Sequence, residues 1–137
     1  MKYLKFVYIL IAIVLVAYWG VYFYKKNELT STKRITEIKL LSKVINNGTT
    51  KQYEAVSTNF EITNVGNDPL IIEKVTTDCN CTAPDWSKEP IGPEQKAIVK
   101  LEFNGSSLGY YQKKAMVYCN VENSPILLIL RGYVTNK

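Results

Sequence analysis

Histidine is missing altogether from the 137 residues. Its absence excludes Ser-His-Asp and Cys-His nucleophile arrangements, imidazole acid–base catalysis and any zinc site built on imidazole. A basic cluster is missing too. The net charge is +5, but the lysines are spread along the chain and none of them gather to track a phosphate backbone, so no nucleic-acid partner is expected. No pair of carboxylates stands in a recognisable acid–base setting either. There is no internal repeat and no low-complexity stretch. With these devices absent, the sequence is not read as an enzyme, and no cofactor or metal is expected.

What the chain does have begins at its N-terminus. Residues 6–24, FVYILIAIVLVAYWGVYFY, carry no charge, close to the roughly 20 residues a helix needs to cross a bilayer. Lys2 and Lys5 flank one end, Lys25 and Lys26 the other. Aromatics gather near both ends: Tyr3, Phe6 and Tyr8, then Tyr18, Trp19, Tyr22 and Tyr24, as in interfacial belts. A cleaved signal peptide would have a shorter apolar region and small residues before the cut. Here Ala17 is followed by Tyr18 and Trp19, and Gly20 has Tyr18 two places before it. No cysteine sits there to take a lipid, and no polar face suits a buried helix. Residues 1–26 are therefore read as one transmembrane anchor helix, 27–37 as a linker and 38–137 as a domain. The first partner implied is membrane lipid.

The domain reads as strands. EIKLLSKVINNGTT is ambiguous: Ile35, Ile38, Leu41 and Ile45 fit a helical stripe, while Ile38, Leu40 and Val44 fit alternation. Beyond it the signals agree. Phe60 and Ile62 alternate with polar residues, and Gly66, Asn67, Asp68 and Pro69 supply turn chemistry before Leu70, Ile71, Ile72 and Val75. KAIVKLEFN alternates through Ala97, Val99, Leu101 and Phe103. YYQKKAMVYCN puts Ala115, Val117 and Cys119 on one face, Met116 and Tyr118 on the other, and divides Tyr110 from Tyr111. ILLILRGYV closes the chain as a strongly apolar strand. Short strands with turn signals roughly every 8–12 residues predict an all-β, antiparallel sandwich of about seven strands.

These residues resemble a known family. The pattern Phe60, Asn64, Gly66; Pro69, Leu70, Ile72; Cys79, Cys81, Thr82; Glu89, Pro90, Ile91, Pro93; then Gly109, Tyr111, Lys113, Asn120, Gly132 and Val134 is similar to the bacterial domain-of-unknown-function family 1573. That family belongs with the Hydin-like, immunoglobulin-like sandwiches, and the resemblance covers roughly residues 44–134. It implies an immunoglobulin-like fold and an opening strand in KVINNGTT. It also implies a secreted or surface-exposed bacterial protein, often in the Bacteroidetes, with no established activity. Two positions depart from the pattern: Asn80 replaces the usual glycine between the cysteines, and Glu94 the glycine after Pro93. Asn tolerates the left-handed conformation best among non-glycine residues, so Asn80 is expected to keep the turn.

The pair Cys79 and Cys81 has three readings. The thiols pack beneath Trp86 or close a small disulfide ring; they form a redox pair; or they capture a soft ion such as Cu(I) or Zn(II), for which two ligands rarely suffice. Cys119 is expected to stand apart. In a sandwich of this order the strands before Cys79 and around Cys119 are antiparallel neighbours, which places the two residues at opposite ends, roughly 20 Å apart and beyond disulfide reach.

Counting Lys2 and Lys5 against Lys25, Lys26, Lys33 and Arg34, the positive-inside rule taken literally would leave the domain in the cytoplasm. The resemblance and the cysteine pair argue for the opposite: a single-pass protein of the bacterial inner membrane with its domain on the periplasmic side. Its expected role is non-enzymatic protein binding or envelope assembly, with a thiol-redox or soft-metal-handling protein as the alternative. The candidate contact residues are Gly66, Asn67 and Asp68, Asn80 and Trp86 in the cysteine loop at 78–86, and Ser106 and Ser107.

Overall fold

The computed structural model describes residues 2–29 and 34–136, without the side chains of residues 2, 4–6, 9 and 24–29. The chain divides into two compact units, 1–33 and 34–137. The first contains α1, Lys2–Leu29. Among the described residues no helix is long and apolar enough to cross a membrane. The side chains at the two ends of the uncharged run, and linker residues 30–33 altogether, lie outside what is described.

The second unit holds eight strands: β1 Ile38–Leu40, β2 Val44–Lys51, β3 Val56–Asn64, β4 Ile72–Thr77, β5 Thr82–Trp86, β6 Lys96–Phe103, β7 Gly109–Cys119 and β8 Ile126–Thr135. They form two four-stranded sheets, ordered β1-β3-β6-β5 and β2-β8-β7-β4. Period-two alternation builds the core between them. Phe60 and Ile62 of β3, with Ala97, Val99, Leu101 and Phe103 of β6, point inward from the first sheet. Ala115, Val117 and Cys119 of β7, with Leu128, Leu130 and Val134 of β8, meet them from the second. Burial of each large aliphatic or aromatic side chain contributes about 1.5–3 kcal/mol.

The ambiguous stretch after residue 34 is extended, and it is split between the sheets. β1 pairs with β3, while β2 lies beside β8. That second pairing is parallel, so the sandwich is not wholly antiparallel as expected. The cause is chain length. Residues 41–43 must cross the roughly 10 Å between sheets, and their reach of about 10 Å leaves nothing for a reversal. β2 therefore keeps the direction of β1.

A second correction raises the strand count. Residues 82–86, expected as part of a loop, form β5 against β6. Pro84 hid it, and a proline in a strand is tolerated at a sheet edge, which is where β5 lies.

Candidate functional site

The cysteine turn, residues 78–81, carries the chain from β4 at the edge of one sheet to β5 at the edge of the other. Cys79 and Cys81 are bonded, with Cα atoms 5.3 Å apart, inside the normal disulfide range. Both are half-buried, Cys81 packs against the core, and Asn80 is exposed. Hydrogen bonds hold the turn independently of the sulfurs. The Thr77 hydroxyl lies 3.1 Å from the carbonyl oxygens of both Cys79 and Thr82. Asp78 accepts from the Lys114 amide at 3.4 Å and donates its own amide to the Lys114 carbonyl at 3.3 Å. The Asn104 amide donates to the Cys81 carbonyl at 3.2 Å.

Cys119 stands where the strand order put it. It pairs in register with Ile72 at the start of β4, whereas Cys79 follows the end of that strand. It is buried and outside the disulfide. Asn80 does not take up a left-handed backbone; Glu94 does, with φ of 60°. The second of the two positions with a missing glycine is the one that bears the strain.

The expected contact residues do not converge. Val56, Thr82 and Phe103 share one register level, so Asn80, Ser106 and Ser107 belong to that end. Gln52 donates to the Ser106 carbonyl at 3.1 Å and ties the 51–55 turn to the same end. Gly66, Asn67 and Asp68 lie beyond Asn64, at the opposite end. Trp86 is level with Val99, partway along the sheet, and does not cover the cysteine turn. Its indole N–H donates to the Ile72 carbonyl at 3.2 Å, which joins edge strand β5 to edge strand β4. Lys88 Nζ sits 2.9 Å from the centroid of its ring.

The Gly66 end is structural. Asn64 is fully buried. Its side-chain carbonyl accepts from the Thr36 hydroxyl at 2.8 Å and the Gly66 amide at 3.2 Å. Its amide donates to the carbonyls of Asp68 and Ile91, both at 2.9 Å. Asn120 does the same across the other sheet, accepting from the Ile71 amide at 2.7 Å and donating to the carbonyls of Arg34 and Pro69. A Cβ on Gly66 would stand 2.6 Å from the Glu37 nitrogen and against the Thr36 hydroxyl, so only glycine fits. Thr36, placed in the expected linker, is buried and pairs with Val121. Of the three loop residues at this end, Asn67 alone is exposed.

Tyr110 and Tyr111 divide between faces as expected. Tyr111 is buried, its ring centroid 4.6 Å from that of Phe103. Among the described residues its hydroxyl is the one buried side-chain polar atom without a hydrogen-bond partner. Burial pushes its pKa above the usual 10.0. Sequence reasoning missed the outward row of β7 and β8, where Tyr110, Tyr118, Leu127 and Tyr133 are exposed. The available signal was that both alternating faces of these strands are apolar.

The family described as "Protein of unknown function (DUF1573)" matches residues 38–134. The chain belongs to the DUF1573 family. Comparison with curated proteins finds no match. Among solved structures, the DUF1573 domain is similar to a protein of unknown function from Porphyromonas gingivalis W83, with TM-score 0.64 and 18% identity, over 75% of this chain and 49% of that one. The chain thus spans about half the length of that relative. It is also similar to the seventh PapD-like domain of human CEP192, with TM-score 0.63 and 13% identity, over 75% of this chain and 88% of that domain. A third likeness is to the VesB protease of Vibrio cholerae, with TM-score 0.55 and 14% identity, over 81% of this chain and 35% of that one. At such identities these likenesses carry the immunoglobulin-like, PapD-like fold and nothing of activity.

Proposed function

We propose that this protein is a single-pass, membrane-anchored module whose DUF1573 domain lies outside the cytoplasm and binds another protein without catalysing a reaction. The observation that carries the reading is the pairing of an uncharged 6–24 run with a disulfide-bonded sandwich. Disulfides persist in oxidising compartments, so the Cys79–Cys81 bond weighs against the literal lysine count. Sandwich domains present loops and sheet surfaces to partners on a rigid scaffold.

The test is labelling of spheroplasts with a membrane-impermeant maleimide, using the full chain with Asn59→Cys, an exposed position on β3. Labelling before lysis is the expected outcome. Protection until lysis would place the domain in the cytoplasm and reject the reading.

A second reading rests on one specific observation: the Cys79–Cys81 bridge is half-exposed in a turn that hydrogen bonds hold without it. A dithiol protein could reduce it by thiolate attack on one sulfur, releasing the other as a thiolate and passing through a mixed disulfide. Full resistance of the folded protein to a reduced dithiol at neutral pH would dismiss this reading. Metal handling would require this bridge to be reduced first, since the thiolate is the ligand and no group of three or more cysteine, aspartate or glutamate side chains placed to hold a metal ion occurs among the described residues.

A further inference from the structure

The two outer faces of the sandwich differ in kind. The strands of the β1-β3-β6-β5 sheet carry Lys39, Lys96 and Lys100 against Glu61, Asp85 and Glu102. Four of its charges pair with each other, Lys96 with Glu61 at 2.7 Å and Lys100 with Glu102 at 3.2 Å, and Asp85 pairs with Lys88 at 3.7 Å. This is an ordinary solvated face.

The strands of the β2-β8-β7-β4 sheet carry Lys51, Lys74, Lys113, Lys114 and Arg131 against Glu73 alone. Among the described residues, Lys74, Lys114 and Arg131 are exposed and in no ion pair. Register interleaves these charges with apolar residues: Arg131, opposite Gln112, and Lys114 lie between the Tyr110–Tyr133 and Met116–Leu127 pairs. Lys74 is opposite Tyr118, and Met116 opposite Leu127. Lys114 is opposite Ile129, and Tyr110 opposite Tyr133. These outward pairs alternate with the inward pairs Val75–Val117, Ala115–Leu128 and Tyr111–Gly132. Tyr110, Tyr118, Leu127 and Tyr133 are 64%, 37%, 39% and 51% exposed. Aromatic residues, methionine and arginine are enriched at docking surfaces, and Tyr110, Tyr118, Tyr133, Met116 and Arg131 give this face that profile.

We propose that the outer face of the β2-β8-β7-β4 sheet is the docking surface of the domain. Its partner is a protein surface that sets aspartate and glutamate among apolar residues. The proposal rests on the binding-module reading and moves the contact from the end loops to the sheet. Charge complementarity selects the occupant. A second copy of the same face would bring one cationic surface against another, whereas a partner's carboxylates satisfy Lys114 and Arg131. Four strands of 8, 10, 11 and 6 residues offer at most about 20 Å by 30 Å. That is somewhat under the roughly 800 Å² per partner of a standard stable interface and suits a reversible complex.

The test uses the full chain in its native membrane, with the photo-crosslinker p-benzoylphenylalanine placed in turn at Tyr118, Leu127, Asn59, Asn67 and Ser106. The expected result is one protein crosslinked at Tyr118 and Leu127, absent at Asn59, through a peptide that contains aspartate or glutamate. Lys114→Glu with Arg131→Glu should cut that yield about tenfold or more, and reversing the acids of the linked peptide to lysine should restore it. Lys100→Glu on the opposite face should leave the yield unchanged. Should the double variant lose its thermal transition, Lys74→Glu alone gives the same readout. Crosslinks at Tyr118 to lipid or to a second copy overturn the proposal. Crosslinks at Asn67 or Ser106 without any at Tyr118 overturn it and leave the binding-module reading standing. Crosslinks nowhere reject both.

Discussion

Thr36 and Asn64 meet in the interior of the domain, the Thr36 hydroxyl donating to the Asn64 side-chain carbonyl at 2.8 Å. This bond fastens the chain ahead of β1 to the far end of β3, and Asn120 fastens the same segment to the other sheet through the Arg34 carbonyl at 2.8 Å. Two asparagines thus close one end of the sandwich, each bonding carbonyls and amides that lie outside the eight strands.

Asn64→Ala is expected to destabilise the domain by about 2–4 kcal/mol. It removes the side-chain partners of the Asp68 carbonyl and the Thr36 hydroxyl and one of the two bonds to the Ile91 carbonyl, which keeps the Leu70 amide. Urea denaturation should show a lower midpoint with little change in slope. Asn120→Ala should behave alike.

The two glycine-dependent positions predict opposite signs. Gly66→Ala forces a Cβ into the Glu37 backbone and should cost about 1–3 kcal/mol. Glu94→Gly relieves a left-handed φ of 60° and should stabilise by about 0.5–1 kcal/mol, the gain being reduced by the added freedom of the unfolded chain. Thermal melts of both variants check this pair.

Much of this fold could be read in advance because alternation is a direct record of burial. β3, β6, β7 and β8 announced themselves through Phe60 and Ile62, Ala97 to Phe103, Ala115 to Cys119 and the run at 126–134. β5 did not, since Pro84 and Asp85 look like a loop and an edge strand needs no second buried face. Thr36 looked like linker because polar side chains that are buried by hydrogen bonding leave no hydrophobic trace. The direction of β2 depended on a three-residue crossing, which pattern cannot show. The candidate site was legible only at the cysteine turn. The apolar outer row of β7 and β8 was visible as composition but not as a face, because its meaning comes from the register between the two strands.

Cys79→Ser is expected to cost about 1–2 kcal/mol and to leave the fold intact. The loop closed by the disulfide is short, so it restricts the unfolded chain little, and Thr77, Asp78 and Asn104 hold the turn through hydrogen bonds. Denaturation of wild type with and without reductant should differ by the same amount.

Tyr111 gives a pH signature. Burial raises its pKa above 10.0, so the neutral phenol is favoured in the folded state. Its contribution is fully present below pH about 10 and is lost as pH rises through the folded-state value. Tyr111→Phe should flatten the alkaline loss of stability. It should be neutral or mildly stabilising at pH 7, because the hydroxyl has no partner to lose. A pH series of thermal melts checks both statements.

The most direct test of the account is the state of the cysteines in living cells. Acid quenching followed by alkylation under denaturing conditions and non-reducing peptide mapping should recover Cys79 and Cys81 as one bonded peptide and Cys119 as an alkylated thiol. Recovery of Cys79 and Cys81 as alkylated thiols would place the domain in a reducing compartment. A bond from either of them to Cys119 would contradict the strand order itself.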